Sequence, residues 1–341
     1  MSAQVSEQAR PTDVGDAPHA SWRPALTAVT RIWAFPVLLV LVALFSLLRP
    51  EAFLSAVNMR SIAVDASAYL IIAVGMTFVI TIGGIDLSVG SVLVFAGVVS
   101  TQAMVAVGGP LPLTLTVGLC AALAGGLAWG LVNGIVVSKG RVHPLIATLG
   151  SYSAAYGLTL VLSGGQDLRG VPDVLVDDFG NGEALGFLPY TVVVALAVAL
   201  VGGFLLTNTR FGLYTSAIGS NVEAARRAAV RVDRHMIRVY MLSGALAGLA
   251  GFISLARFGT TTINGHQNDM LQAILAVVLG GTALAGGRGT VLGTVVGVLI
   301  PSVLASGFVI LGFVPFWQQV AIGVSLVLVL LADEWRRSRR L

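Results

Sequence analysis

Charge is what this sequence lacks most. Only 11% of its 341 residues are Asp, Glu, Lys or Arg and 56% are apolar, whereas soluble domains carry about 25% charged residues. A chain so poor in charge cannot cover a water-facing surface, which excludes a soluble enzyme. Cysteine is almost absent: Cys120 stands alone, so no internal disulfide can form and a thiolate metal site is disfavoured. The four histidines, His19, His143, His235 and His266, are scattered among a tail and loops, which argues against a metal centre. Lysine occurs once, as Lys139, and no G-x-x-x-x-G-K-[ST] loop surrounds it, so the chain cannot hydrolyse ATP by that route. Neither a G-x-S-x-G elbow nor an H-E-x-x-H zinc motif is present.

What the chain has instead is apolar length. Mean hydropathy is +0.90, and apolar runs recur near the roughly 20 residues that a helix needs to cross a bilayer. The expected fold is an all-α polytopic membrane protein with about ten spans: 32–48, 62–82, 88–107, 111–137, 144–163, 188–207, 237–256, 271–285, 290–310 and 316–332. With both termini cytoplasmic, sixteen of the twenty basic residues fall inside, leaving Arg49, Arg60, Arg169 and Arg257 outside or at the outer edge. That split follows the positive-inside rule, and removing one span would put the two Arg-rich segments on opposite sides. The chain then divides into a cytoplasmic tail 1–31, a transmembrane domain 32–332 containing a cytoplasmic loop 208–236, and a basic cytoplasmic tail 333–341. The N-terminal tail shows no cleavable signal. The basic balance points to membrane topology, not to nucleic acid.

Two loops stand out. The outer one, 164–187, carries Asp167, Asp173, Asp177, Asp178 and Glu183. The inner one, 207–236, contains "AIGSNVEAARRAAV", where Asn221 suits an N-cap and Glu223 the first turn of a short helix at the membrane face. Read without further context, that helix is a solvated amphipathic segment held near anionic lipid by Arg226, Arg227 and Arg231.

"GGIDLSVG", Gly83 to Gly90, admits two readings. A carboxylate at the bilayer centre costs roughly 3 kcal/mol, so Asp86 there faces a cavity or a partner, beside peptide groups exposed by Gly83 and Gly84. Alternatively the stretch is a cytoplasmic turn in which Asp86 or Ser88 caps the third span. Asp65 is the second buried-acid candidate, its plainer reading an interfacial position near Arg60. Asn133, Gln102 and Gln272 are polar residues within spans, where helix-to-helix hydrogen bonds are the commoner role. "AGGLAWG" and "GALAGLAG" are small-residue patterns for close helix packing. "GGIDLSVGSVLVFAGVV" and "GGRGTVLGTVVGVLI" resemble one another, which suggests an inverted repeat of spans two to five and seven to ten.

Six blocks in order resemble the permease subunits of ribose-type ABC sugar importers. They are "GMTFVITIGGIDLSVGSV", "HPLIATLGS", "FGLYTSAIGSNVEAAR", "YMLSGALAGLAGFI", "AVVLGGTALAGGRGTVLGT" and "PFWQQVAIGV". Branched-chain amino acid permeases share the architecture. The resemblance implies a non-enzymatic pore subunit in the bacterial inner membrane, translocating a monosaccharide or similar polyhydroxylated solute. It implies a cytoplasmic ATPase that holds the ATP and magnesium, an extracytoplasmic sugar-binding protein delivering to loops 164–187 and 259–269, and a second permease chain, identical or not. No cofactor is expected on this chain. Coupling to the ATPase would fall on Gly219, Asn221, Glu223, Ala224, Ala225 and Arg226. Substrate-pathway candidates are Gly83, Gly84, Asp86, Ser88, Asn133 and Gln272.

The chain departs from the family pattern twice. Ala229 stands where a glycine usually follows the coupling helix, and Met270 and Gln272 flank Leu271 where relatives commonly have acids. Two alternatives stay open: an importer of nucleosides or branched-chain amino acids, and an ion-coupled secondary transporter using Asp86 or Asp65.

Overall fold

A computed structural model describes residues 34–314 and 316–338, the side chains at 326, 328–330 and 332–338 excepted. The expected tail 1–31, the first two residues of the first span and the end of the basic tail lie outside the described residues. The helices are α1 (Ala34–Leu48), α2 (Pro50–Phe53), α3 (Ala56–Thr81), α4 (Val89–Val107), α5 (Leu111–Ser138), α6 (Pro144–Ser163), α7 (Tyr190–Asn208), α8 (Arg210–Ser220), α9 (Val222–Arg227), α10 (Val232–Phe258), α11 (Asp269–Leu279), α12 (Val291–Ile310) and α13 (Phe316–Ser338). The acidic loop before α7 holds a π-helical turn (Leu175–Gly180) and a two-residue hairpin, β1 (Glu183–Ala184) with β2 (Leu188–Pro189).

Among the described residues, seven helices are long and apolar enough to cross a membrane: α3, α4, α5, α6, α7, α10 and α12. With α1, α11 and α13, helices occupy all ten positions that hydropathy assigns. One of them corrects the expectation. The eighth span, expected over 271–285, is an 11-residue helix, about 16 Å long against a hydrocarbon core of about 30 Å. It ends at Gly280, and the following turn uses positive φ at Gly281, Gly286 and Gly287. Hydropathy continues through this turn because Ala283 and Leu284 are apolar, but the backbone does not.

Helices α3 and α10 are the centre of the bundle and run antiparallel: Gly75 packs on Ser243 and Asp65 on Arg257. Helix α5 lies antiparallel to α10 along a seam without side chains. The two small-residue patterns, "AGGLAWG" and "GALAGLAG", face each other across it. A methyl on Gly126 would sit 2.1 Å from the Gly244 carbonyl oxygen, and one on Gly248 would sit 2.3 Å from that of Ala122. Such contacts let backbones approach where lipid supplies no hydrophobic drive.

Two breaks interrupt the bundle, after α3 and after α10. Each leads into a helix that starts inside the protein, and the two starts touch: a methyl on Gly90 of α4 would lie 2.7 Å from the carbonyl oxygen of His266, just ahead of α11. Antiparallel first helices, each followed by a break and an inward helix start, fit the inverted arrangement of spans two to five and seven to ten. In that arrangement "GGIDLSVG" corresponds to the turn after α10. The glycine resemblance to "GGRGTVLGT" has another cause, since both stretches belong to one junction described below.

Candidate functional site

Asp86 is buried. Its carboxylate accepts a hydrogen bond from the Oγ of Ser243 at 3.1 Å. Ser243 is the twelfth residue of α10, about 16 Å along a helix about 40 Å long. "GGIDLSVG" is therefore irregular backbone held within the membrane domain, which is tolerated where protein surrounds it. The capping chemistry expected of the turn is present. Asp86 accepts from the Ser88 amide at 3.0 Å and the Ser88 hydroxyl at 2.6 Å, anchoring the first turn of α4. Ser88 in turn accepts from the Asn133 amide of α5 at 2.8 Å, and Thr148 of α6 donates to the carbonyl of Ile85. Three candidates, Asp86, Ser88 and Asn133, thus form one network joining four helices.

Gly83 and Gly84 are glycines for different reasons. Gly83 has φ +87°, a left-handed turn that glycine adopts without steric cost. Gly84 lies under Tyr240, whose hydroxyl would be 2.5 Å from a methyl there. Four buried side-chain oxygens have no hydrogen-bond partner among the described residues. Two of them, Asn133 Oδ1 and the Tyr240 hydroxyl, belong to this region.

The basic segment expected at the inner face folds as α8 and α9. Thr209 caps α8, and Asn221 caps α9 by accepting from the Ala224 amide at 2.9 Å. Helix α9 exposes Glu223, Ala224, Arg226 and Arg227 and buries Ala225. Arg226 reaches Glu223 at 3.8 Å and Asp233 at 3.7 Å, pairs too exposed to fix the helix by themselves. Thr215 of α8 bonds His235 of α10 at 2.8 Å. Gly219 does not face outward. A methyl there would lie 1.9 Å from the Thr81 carbonyl oxygen and 2.6 Å from the Gly287 nitrogen, which donates to that same oxygen at 2.8 Å. Gly286 rests on Gly83 and on the Gly219 carbonyl. The end of α3, the turn after α11 and the end of α8 therefore meet at one junction of glycines.

The model of one family, described as "Branched-chain amino acid transport system / permease component", matches residues 58–330. The chain belongs to this family. The permease is 40% identical to the ribose import permease protein of Escherichia coli (strain K12) over 87% of this chain and 91% of that one. It is 36% identical to the ribose import permease protein of Haemophilus influenzae, over 90% and 94%. It is 34% identical to the D-allose transport system permease protein of E. coli K12, over 88% and 90%. No solved structure matches it significantly. Like its family, the permease is a multi-pass inner-membrane pore component of an ABC importer and not an enzyme.

The remaining candidate, Gln272, lies apart from the Asp86 network. It is buried on α11 beside Tyr69 of α3. Around it the permease gathers residues that the sequence did not single out. Asp269 accepts from or pairs with His266 Nδ1 at 2.6 Å, and His266 Nε2 meets Ser254 Oγ at 2.8 Å, fixing the turn after α10 to that helix. The signal available was His266 and Asp269 three residues apart at a helix start. Asp65 pairs with Arg257, not with Arg60, which bonds Glu183 at 2.9 Å instead. Antiparallel α3 and α10 bring residues 65 and 257 level, whereas Arg60 is nearly a turn and a half farther out.

The two outer loops form one platform. Asp167 accepts from the Ile263 amide at 2.8 Å, Thr261 N donates to the Leu168 carbonyl at 3.1 Å, and the Leu168 amide donates to Thr261 Oγ1 at 2.7 Å. Gln102, expected to bond between helices, donates from α4 to the Leu162 carbonyl of α6 at 2.7 Å.

Proposed function

We propose that the permease translocates a monosaccharide or similar polyhydroxylated solute, driven by a separate cytoplasmic ATPase and supplied by an extracytoplasmic binding protein. A second permease chain completes the pathway. Relatives named for ribose and allose import align over most of their length with this chain, which supports a sugar over a branched-chain amino acid. An ion-coupled carrier is the weaker reading, because Asp65 is paired with Arg257 and Asp86 accepts three hydrogen bonds.

The observation that carries the mechanism is the glycine junction. The exposed residues of α9, with Asn221 as its cap, form the surface that the ATPase grips. Ala225 and Gly219 pass the load inward. A displacement of α8 reaches Thr81, Gly83, Gly286 and Gly287 mainly through backbone contacts, with the short Ser220 side chain against Gly287 and no long flexible side chain between. The break after α3 and the turn after α11 yield where helices would resist, and Asp86, Ser88 and Asn133 hold the start of α4 so that the motion moves a helix and does not melt it.

The test is reconstitution of the permease in vesicles with and without its ATPase and binding protein, using labelled ribose, allose and leucine. ATP-dependent uptake of a sugar only in the complete system is expected. Uptake by the permease alone under an ion gradient, or preference for leucine, overturns the reading.

A further inference from the structure

We infer that the outer half of the permease contains a solute-binding cavity for one neutral polyhydroxylated ring, separate from the Asp86 network. The inference rests on the sugar-import reading above and assigns it a site. A cavity of about 240 Å³ lies among α3, the start of α7, the end of α10 and the turn before α11. Its volume equals roughly eight waters at about 30 Å³ each, below the range of about 300–1,000 Å³ typical for drug-sized ligands. Its lining is largely apolar in surface, with polar residues that include Asp65, Arg257, His266, Asp269, Thr191 and Thr262.

Charge balance selects the ligand class. Asp65 is engaged by Arg257 and Asp269 by His266. A cation would find both carboxylates occupied, and an anion would find the only lining guanidinium occupied. The described residues also contain no group of three side chains able to hold a metal. What the polar residues offer is acceptors and donors, with each charged side chain already paired or hydrogen-bonded within the protein: carboxylate oxygens for hydroxyl protons, guanidinium and hydroxyl hydrogens for hydroxyl oxygens. That pattern fits a neutral polyol.

Two further observations point to a ligand. Thr191 Oγ1 and Thr262 Oγ1 are the other two unpartnered buried oxygens, and both residues belong to the lining of this cavity. Thr191 is only 1% exposed. A buried hydroxyl without a partner is destabilising, and such groups are rare enough to require an explanation. Thr262 is also held from both sides, through Thr261 to Leu168 and through Ile263 to Asp167. The cavity wall is thus stitched to the acidic outer loop, the surface that meets a delivering protein.

The test uses Thr191→Val and Thr262→Val, singly and together, in the full permease with its ATPase and binding protein in vesicles. Removing an orphaned hydroxyl preserves shape, so thermal stability should hold or rise. Uptake of labelled ribose or allose, whichever the wild type transports, should show KM raised about fivefold per hydroxyl, the value of one hydrogen bond. Saturation-transfer NMR of that sugar on the permease alone should weaken in parallel. Stable variants with unchanged KM and unchanged sugar signal overturn the site and leave only water there. A wild type that transports neither sugar overturns the import reading itself and this inference with it.

Discussion

Replacing Gly219 with alanine tests the junction directly. The added methyl would lie 1.9 Å from the Thr81 oxygen, 2.6 Å from the Gly287 nitrogen and 3.0 Å from the Thr81 carbonyl carbon. All three are backbone atoms, so no side chain can swing aside. Overpacking of this kind costs about 1–3 kcal/mol, and parting Gly287 from Thr81 forfeits a hydrogen bond worth about 1 kcal/mol. The expected loss is therefore about 2–4 kcal/mol, located where α8 meets the break after α3 and the turn after α11. The exposed surface of α9 is untouched, so the variant should still co-purify with the ATPase. Its sugar transported per ATP hydrolysed should fall several-fold, and its thermal midpoint should drop. Wild-type stability together with wild-type coupling in Gly219→Ala would show that α8 does not press on the break after α3 and the turn after α11, and the proposed route of force would be wrong.

Four other changes have defined outcomes. Asp86→Asn keeps an oxygen for Ser88 and should insert normally with slower uptake, whereas Asp86→Ala strands the Ser88 amide and should lose about 1–3 kcal/mol; equal uptake by wild type and Asp86→Asn would show that the charge is dispensable. Glu223→Ala, or Arg226 and Arg227 together to Glu, should reduce ATPase co-purification without changing insertion, and undiminished co-purification would remove α9 from the docking surface. Arg257→Ala leaves Asp65 unpartnered; both side chains are about one-third exposed (32% and 36%), so solvent screening limits the loss to about 1 kcal/mol, and the double change with Asp65→Asn should recover most of it in a thermal-shift assay. Ala229 has φ +60°, a conformation costing a non-glycine residue about 1–2 kcal/mol, so Ala229→Gly should raise the thermal midpoint; a lower midpoint would show that the strain is absent.

Ala229 also shows what sequence can carry. Its departure from a family glycine is visible in the chain, and the structure gives the cause a geometry: the turn leaving α9 is left-handed whether or not glycine occupies it. The caps were legible for the same reason. Asn221 needs only the backbone amide of Ala224, three residues on, so a local pattern suffices. Spans were legible because apolar length is a local property. Asp65 was not, because its partner depends on the register of α3 against α10, 192 residues away in the chain. His266 and Ser254 were missed likewise, since a histidine in a turn looks exposed until a helix closes over it.

The enclosure of "GGIDLSVG" by four helices was beyond any local reading, and the reason extends to the short α11. Hydropathy measures side chains, while a break in a membrane helix concerns backbone amides and carbonyls that need partners. Glycine, threonine and alanine carry almost no hydropathy signal, yet Thr81, Gly83, Gly219, Gly286 and Gly287 satisfy and shield one another's backbone only when three distant segments meet. A glycine at such a place is chosen by what lies opposite. That is why two glycine pairs, after α3 and after α11, resemble each other without being repeats: each supplies one wall of the same contact, and the third wall, Gly219, comes from the segment that receives the push.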